Sequence, residues 1–189
     1  MRDGSLTKSK LERCALELFV RQGIASTTIK HIAQAANIAE GTLYRHYPSK
    51  EELASSLYIN AYKDFSKKLH EALKSASTLK DQLSLICENV STQYDSDPIL
   101  FNYLLIAQHC ELPKINQEEF SINKYLCDLI DKAVEKKELK QNDPNFYAAI
   151  ILGILIQAAV ARAYKRINRP MVEDSKKLNE ALFGALGGL

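Results

Sequence analysis

Hydrophobic positions recur at helical spacing along almost the whole chain. Leu11, Cys14, Ala15, Leu18 and Phe19 fall at i, i+3, i+4, i+7 and i+8, which predicts an apolar stripe on a helix over 7–22, with Gly23 ending it in a left-handed conformation. Ser26, Thr27 and Thr28 supply capping hydroxyls for a second helix whose buried face is Ile29, Ile32, Ala33 and Ala36. Asn37 then stands where a tight turn needs positive φ, and Ile38 plugs the corner. A short third helix follows over 39–47, with Leu43 and Tyr47 inward and Pro48 closing it. Ser49-Lys50-Glu51-Glu52 has capping-box form and starts a long fourth helix, 49–75, seamed by Leu53, Leu57, Ala61, Phe65 and Leu69.

The pattern restarts at Leu79 with Leu83, Ile86, Cys87 and Val90, and Asp97-Pro98 opens a sixth helix over 99–110. That helix is apolar nearly all round and is therefore expected to be buried. Glu111 to Gln117, containing Pro113, reads as a loop, and a seventh helix is expected over 118–138 on Phe120, Ile122, Leu126, Leu129, Ile130, Ala133 and Val134. Asp143-Pro144 starts the eighth. Within it, Phe146 to Tyr164 has only Gln157 and Arg162 as polar residues, so a membrane span has to be weighed. The unbroken apolar run stops at Ile156, the chain has no Trp, and Arg162 would cost about 2.5–3.5 kcal/mol at mid-membrane on insertion scales, so no membrane partner is expected. Small residues such as Ala149, Gly153 and Ala161 instead let another helix approach closely, and a last helix over 173–186 repeats the apolar stripe. Helices eight and nine carry more apolar surface than one small core requires. They are read as half of a four-helix homodimer interface built from Ile150, Gly153, Ile154, Gln157, Ala161, Leu178, Leu182 and Ala185.

The expected fold is all-α with about nine helices: a three-helix helix-turn-helix domain over 1–50, then a helical ligand-binding and dimerisation domain over 51–189, with helix four connecting them. A 189-residue chain that is 46% hydrophobic has ample core for this. Net charge is only +2, but residues 1–70 hold eleven Lys/Arg against seven Asp/Glu while 71–189 hold fourteen against sixteen, a modest basic surplus where phosphate contact is expected. The first residues, MRDGSLTKSKLER, contain no apolar run of signal-peptide type, and the chain is expected to be cytoplasmic. Cys14, Cys87, Cys110 and Cys127 have no paired metal spacing and read as small buried hydrophobes.

Helix one followed by TTIKHIAQAANIAEGTLYRHYPSKEEL at 27–53 resembles the N-terminal domain of TetR-family transcriptional regulators, with the run Thr-Leu-Tyr-Arg-His-Tyr-Pro-Ser-Lys-Glu-Glu-Leu the most specific part. The resemblance is close over roughly 7–65; beyond that it is one of helical pattern only. It implies that Gly41, Thr42, Arg45 and His46 face the major groove, with Thr28, Tyr44 and Lys50 on phosphates. The chemistry agrees: glycine allows close backbone approach, threonine reaches base edges or a thymine methyl, and arginine is suited to guanine. Four positions depart from the expected pattern. Asn37 stands for Gly, Ala39 removes a side-chain cap from helix three, Glu40 puts a negative charge near the groove, and Tyr47 replaces Phe.

The reading is therefore a DNA-binding regulator, a homodimeric repressor released from a palindromic double-stranded operator by a small apolar effector. Ile86, Val90, Phe101, Leu104, Leu105, Tyr125 and Leu129 are the candidate effector contacts. A helical interaction protein or membrane-associated protein without DNA affinity is the alternative. No enzyme activity and no cofactor are expected, since the chain has no Gly-rich phosphate loop and no nucleophile elbow. His109-Cys110-Glu111 is the one local cluster with metal-ligand chemistry, and it reads as a solvent-facing helix end.

Overall fold

Periodic apolar positions become helices throughout the computed structural model, which describes residues 4–111, 121–140 and 143–187. Among these residues the chain forms α1 (Gly4–Gln22), α2 (Ile29–Ala36), α3 (Glu40–His46), α4 (Lys50–Leu73), α5 (Leu79–Ser96), α6 (Pro98–Glu111), α7 (Ile122–Glu135), α8 (Pro144–Ala163) and α9 (Ser175–Ala185), with a 3-10 turn at Val172–Asp174. The loop expected at 111–117 and the first turn expected for the seventh helix fall mostly on residues 112–120, outside the described residues.

The chain separates into two compact units, Met1–Tyr62 with Ile99–Ile115 and Lys63–Pro98 with Asn116–Leu189. In the first unit the stripe of α1 (Leu11, Ala15, Leu18, Phe19) meets Ile32, Leu43, Tyr47, Leu53, Ala54 and Tyr58 in one cluster. Helix α6 completes it through Tyr103 and Ala107. Tyr103 is fully buried, stacks on Phe19 at 5.9 Å between centroids, and donates its hydroxyl to the Ala54 carbonyl at 2.7 Å. Burying a phenol without such an acceptor is unfavourable by several kcal/mol, roughly 2–7 by reference state. The expectation that α6 is wholly buried does not hold. Ile106 is 50% exposed and Leu104 and Leu105 are half-buried, because only one stripe of a helix can face a single core.

Glu111, expected at a solvent-facing end, is instead buried and accepts from the Ser55 hydroxyl at 2.5 Å, while His109 and Cys110 are exposed. Cys110 also departs from the expectation of buried thiols, and Cys14 and Cys127 are half-buried; Cys87 is fully inside, where burial pushes its thiol up to about 12. No group of three or more His, Cys, Asp or Glu is placed to hold a metal among the described residues.

The second unit pairs α5 with α9 and α7 with α8. Its interior is Leu83, Ile86, Cys87 and Val90 of α5, Leu126, Leu129 and Ile130 of α7, and Ala148, Ile151, Leu155 and Ala159 of α8. The turn after α8 is held by charge. Arg162 is 8% exposed; it donates to the carbonyls of Ala158 at 2.9 Å and Arg169 at 3.1 Å and pairs with Asp174 at 2.7 Å. Asp95 at the end of α5 accepts from the backbone amides of Met171 and Val172 at 2.8 and 2.9 Å, tying the same turn to α5.

Candidate nucleic-acid interface

Helix α2 starts at Thr28, whose hydroxyl accepts from the His31 amide at 3.2 Å while His31 Nδ1 accepts from the Thr28 amide at 3.4 Å. Histidine thus closes a reciprocal capping box that the glutamate-centred sequence pattern does not reveal. Thr27, also a candidate cap, is buried and donates to the Gly23 carbonyl at 2.8 Å instead. At the other end Asn37 adopts φ 54, ψ 51, the left-handed conformation expected of it, and its amide bonds back to α2. Ala39 enters α3 with extended backbone and no side-chain cap, as its missing hydroxyl implies.

Helix α3 has seven residues, too few to be stable alone, so its anchors decide where it points. Leu43 is fully buried and Tyr47 is 6% exposed; opposite them Tyr44 is 53% exposed and Gly41 and Arg45 are exposed. Thr42 and His46 are half-buried and, with Arg45, line an open groove of about 690 Å³ whose other walls are Thr7 of α1 and Asn37, Ile38 and Ala39 of the turn. A Cβ at Gly41 would meet nothing within 4 Å, so no contact inside the chain requires a glycine there. Glu40 occupies the first turn, where its charge suits the positive helix end.

The phosphate candidates flank this face. Thr28 is exposed, and its hydroxyl keeps a proton to donate while it caps α2. Lys50 is engaged within the chain: its side chain is 18% exposed, with Nζ 3.4 Å from the Ala25 carbonyl and 3.7 Å from Glu51. Ser49 caps α4 as expected, accepting from the Glu52 amide at 3.1 Å.

The other candidates disperse. Ile86, Val90 and Leu129 are buried in the second unit and Tyr125 is half-buried there, edge-on to His70 with centroids 4.3 Å apart. Phe101, Leu104 and Leu105 lie in the first unit, where Leu104 packs on the core. Of the dimer candidates, Gly153, Gln157 and Ala185 are exposed and Ile150, Ile154, Ala161 and Leu178 half-buried. Leu182 is corrected: at 0% exposure it already lies inside its own protomer and offers no surface to a partner.

Two helices joined by a left-handed asparagine, the second short and presenting arginine, threonine, tyrosine and histidine outward, define a helix-turn-helix DNA-binding protein. Residues 13–57 match the family described as bacterial regulatory proteins, tetR family. The HTH-type transcriptional regulator TtgR of Pseudomonas putida is 25% identical over 186 residues, 97% of this chain and 78% of that protein. The HTH-type transcriptional repressor KstR2 of Rhodococcus jostii is 30% identical over 122 residues, 65% of this chain and 57% of that one. The fold is similar to the crystal structure of the transcriptional regulator FadR from Bacillus subtilis in complex with stearoyl-CoA, with a TM-score of 0.74 at 21% identity over 96% of this chain and 99% of that one. The matched segment, with its helix-turn-helix, is similar to the DNA-binding part of tetR-family regulators. The chain is a DNA-binding transcriptional regulator and not an enzyme.

Proposed function

We propose that this protein is a homodimeric repressor that lays α3 of each subunit in successive major grooves of a palindromic operator. The observation carrying this reading is the division of α3, with Leu43 at 0% exposure on one side and Gly41, Tyr44 and Arg45 exposed on the other. Arg45 reads guanine, Thr42 and His46 meet neighbouring base edges, Gly41 admits the duplex, and Thr28, Tyr44 and Lys50 hold phosphates. Lys50 exchanges its Ala25 and Glu51 contacts for the duplex, a small step because surface pairs of this kind contribute about 0–1 kcal/mol. We assign DNA reading to residues 1–50 and effector binding and dimerisation to 51–189, with α4 as the connection.

The second copy docks on α8 and α9. Helix α8 is long and apolar enough to cross a membrane by length and composition, with 33% of its most apolar window buried. Its single charged side chain, Arg162, is turned inward onto Asp174, and the residues left outside include Gly153 and Gln157, which suit close helix packing. Function therefore places the protein in the cytoplasm with its DNA, and a detergent-free dimer in solution is the expected hydrodynamic state.

The effector is a small apolar molecule, supported by the aliphatic and aromatic character of Ile86, Val90, Tyr125 and Leu129 in the second unit. Tenfold release from DNA requires about 1.4 kcal/mol of differential affinity between two conformations. Selection of bound fragments from a genomic pool, followed by anisotropy titration against salt, tests the DNA reading. The expected result is one palindromic site with affinity falling steeply as salt rises. Absence of binding to any duplex at low ionic strength would end it. A panel of apolar compounds, with acyl-CoA thioesters included because of the ligand in the FadR structure, tests release; a panel that leaves affinity unchanged removes the effector model.

A further inference from the structure

The C-terminal end of α3 is tied to α1 by a polar contact that its apolar packing does not need. Tyr47 is the C-cap of α3, in extended backbone at φ −140, ψ 119, and its ring sits in the first unit's core. A phenyl ring would fill that volume equally well. The hydroxyl adds a hydrogen bond donated to the Glu12 carboxylate on α1. Lys8, one turn before Glu12, completes the cluster at 3.8 Å from the carboxylate and 5.6 Å from the Tyr47 ring centroid. Burial, with the Glu12 hydrogen bond and charge added, pushes the Tyr47 phenol up to about 12, so it is a proton donor throughout the neutral range.

We propose that Glu12 is a positioning residue for the recognition helix: acting through the Tyr47 hydroxyl, it fixes the angle at which α3 presents Thr42, Arg45 and His46. Helix α3 has no side-chain cap at Ala39 and buries one residue of its seven, so few apolar anchors limit its freedom to roll: Leu43 within it and Ile38 and Tyr47 at its two ends. A charge-assisted bond at one end removes that freedom, and base-edge hydrogen bonds weaken steeply with misalignment whereas phosphate attraction does not. The effect of Glu12 therefore falls on discrimination between sequences and little on attraction to DNA in general. This rests on the reading of α3 as the groove-binding helix.

The test uses the full chain with Glu12→Ala, Tyr47→Phe and the double variant. Two readouts are taken: hydrogen exchange of residues 40–47 in free protein, and the ratio of affinities for the selected operator and a scrambled duplex of equal length. Loss of a charge-assisted bond is expected to speed exchange over 40–47 about tenfold in either single variant, with 29–36 unchanged. The operator-to-scrambled ratio falls by a similar factor, and the double variant is no worse than the poorer single, since both break one contact. Unchanged exchange, faster exchange with an unchanged ratio, or fully additive effects each overturn the proposal. If wild type itself fails to distinguish the two duplexes, the groove reading is what fails, while the exchange data still decide whether Glu12 holds α3.

Discussion

Helices α3 and α8 both leave much of their surface uncovered, and they do so with opposite chemistry. In α3 the charged and polar side chains point out and Leu43 points in. In α8 the single charge, Arg162, is buried against Asp174, and exposed positions include Phe146 at 59% and Gly153. Exposure alone therefore says little about what covers a helix. Outward arginine, tyrosine and threonine suit a polyanion with hydrogen-bonding edges, whereas an outward apolar face bordered by glycine and alanine suits a second copy of itself.

The contrast breaks most visibly at Gly153. Nothing lies within 4 Å of a Cβ there, so Gly153→Leu is locally free of clash inside the protomer. In a two-fold dimer the added side chain occurs twice, and overpacking at about 1–3 kcal/mol per site raises the dimer dissociation constant roughly thirtyfold or more. Sedimentation velocity should show monomer at micromolar concentration with the helical circular dichroism intact, and operator affinity falling with it. An unaltered dimer would mean that the uncovered face of α8 is not where the copies meet.

The inward charge of α8 gives the next largest effect. Asp174→Asn leaves Arg162, 5% exposed in its side chain, without its counter-ion and should lower stability by about 3 kcal/mol in denaturant titration. The Asp174 carboxyl is held below the usual carboxylate range, first by the hydrogen bond from Arg169 and then by Arg162, against the opposing effect of burial. Because the folded pKa is the lower one, the stabilisation is fully present above the unfolded value of about 3.9 and is lost as pH falls through the folded value. Wild type should therefore lose stability below about pH 4 more steeply than the variant. Equal slopes would show that the pair is not formed in solution.

Arg45→Ala tests the outward chemistry of α3. The side chain is exposed, so stability should hold, while operator affinity falls about tenfold to a hundredfold and selectivity relaxes at one base pair. Lys50→Ala is the companion: it should weaken operator and scrambled duplex by the same factor and lower the salt dependence by about one counter-ion. If the two variants behave alike, Arg45 is a phosphate contact and the division of α3 into reading and anchoring faces loses its meaning.

Local pattern carries most of α3 and much less of α8. Positive φ at Asn37, the missing cap at Ala39 and the inward Leu43 all follow from residue type within a few positions, and the structure holds each of them. The pairing of Tyr47 with Glu12, 35 positions away, has no periodicity to announce it, and neither does Glu111 against Ser55 across 56. Arg162 weighs against a membrane span on composition, yet its partner Asp174 becomes visible only when the turn brings it back. Leu182 reads as partner surface in the sequence because an apolar stripe looks the same whether it faces its own core or another chain.

The smallest expected effect is a gain. Ala39 has the extended backbone of an N-cap, φ −72 and ψ 145, but no oxygen to accept from the first amides of α3. Ala39→Ser supplies one, and should stabilise the protein by about 1 kcal/mol, read as a rise in thermal midpoint of a few degrees. The gain should appear as slower hydrogen exchange over 40–46 with α8 unaffected, since a cap acts within the first turn of its own helix. A rise in stability that left exchange in α3 unchanged would mean that its tertiary anchors, Leu43 and Tyr47, already hold that turn as firmly as a cap does, and that α3 owes its geometry to the core alone.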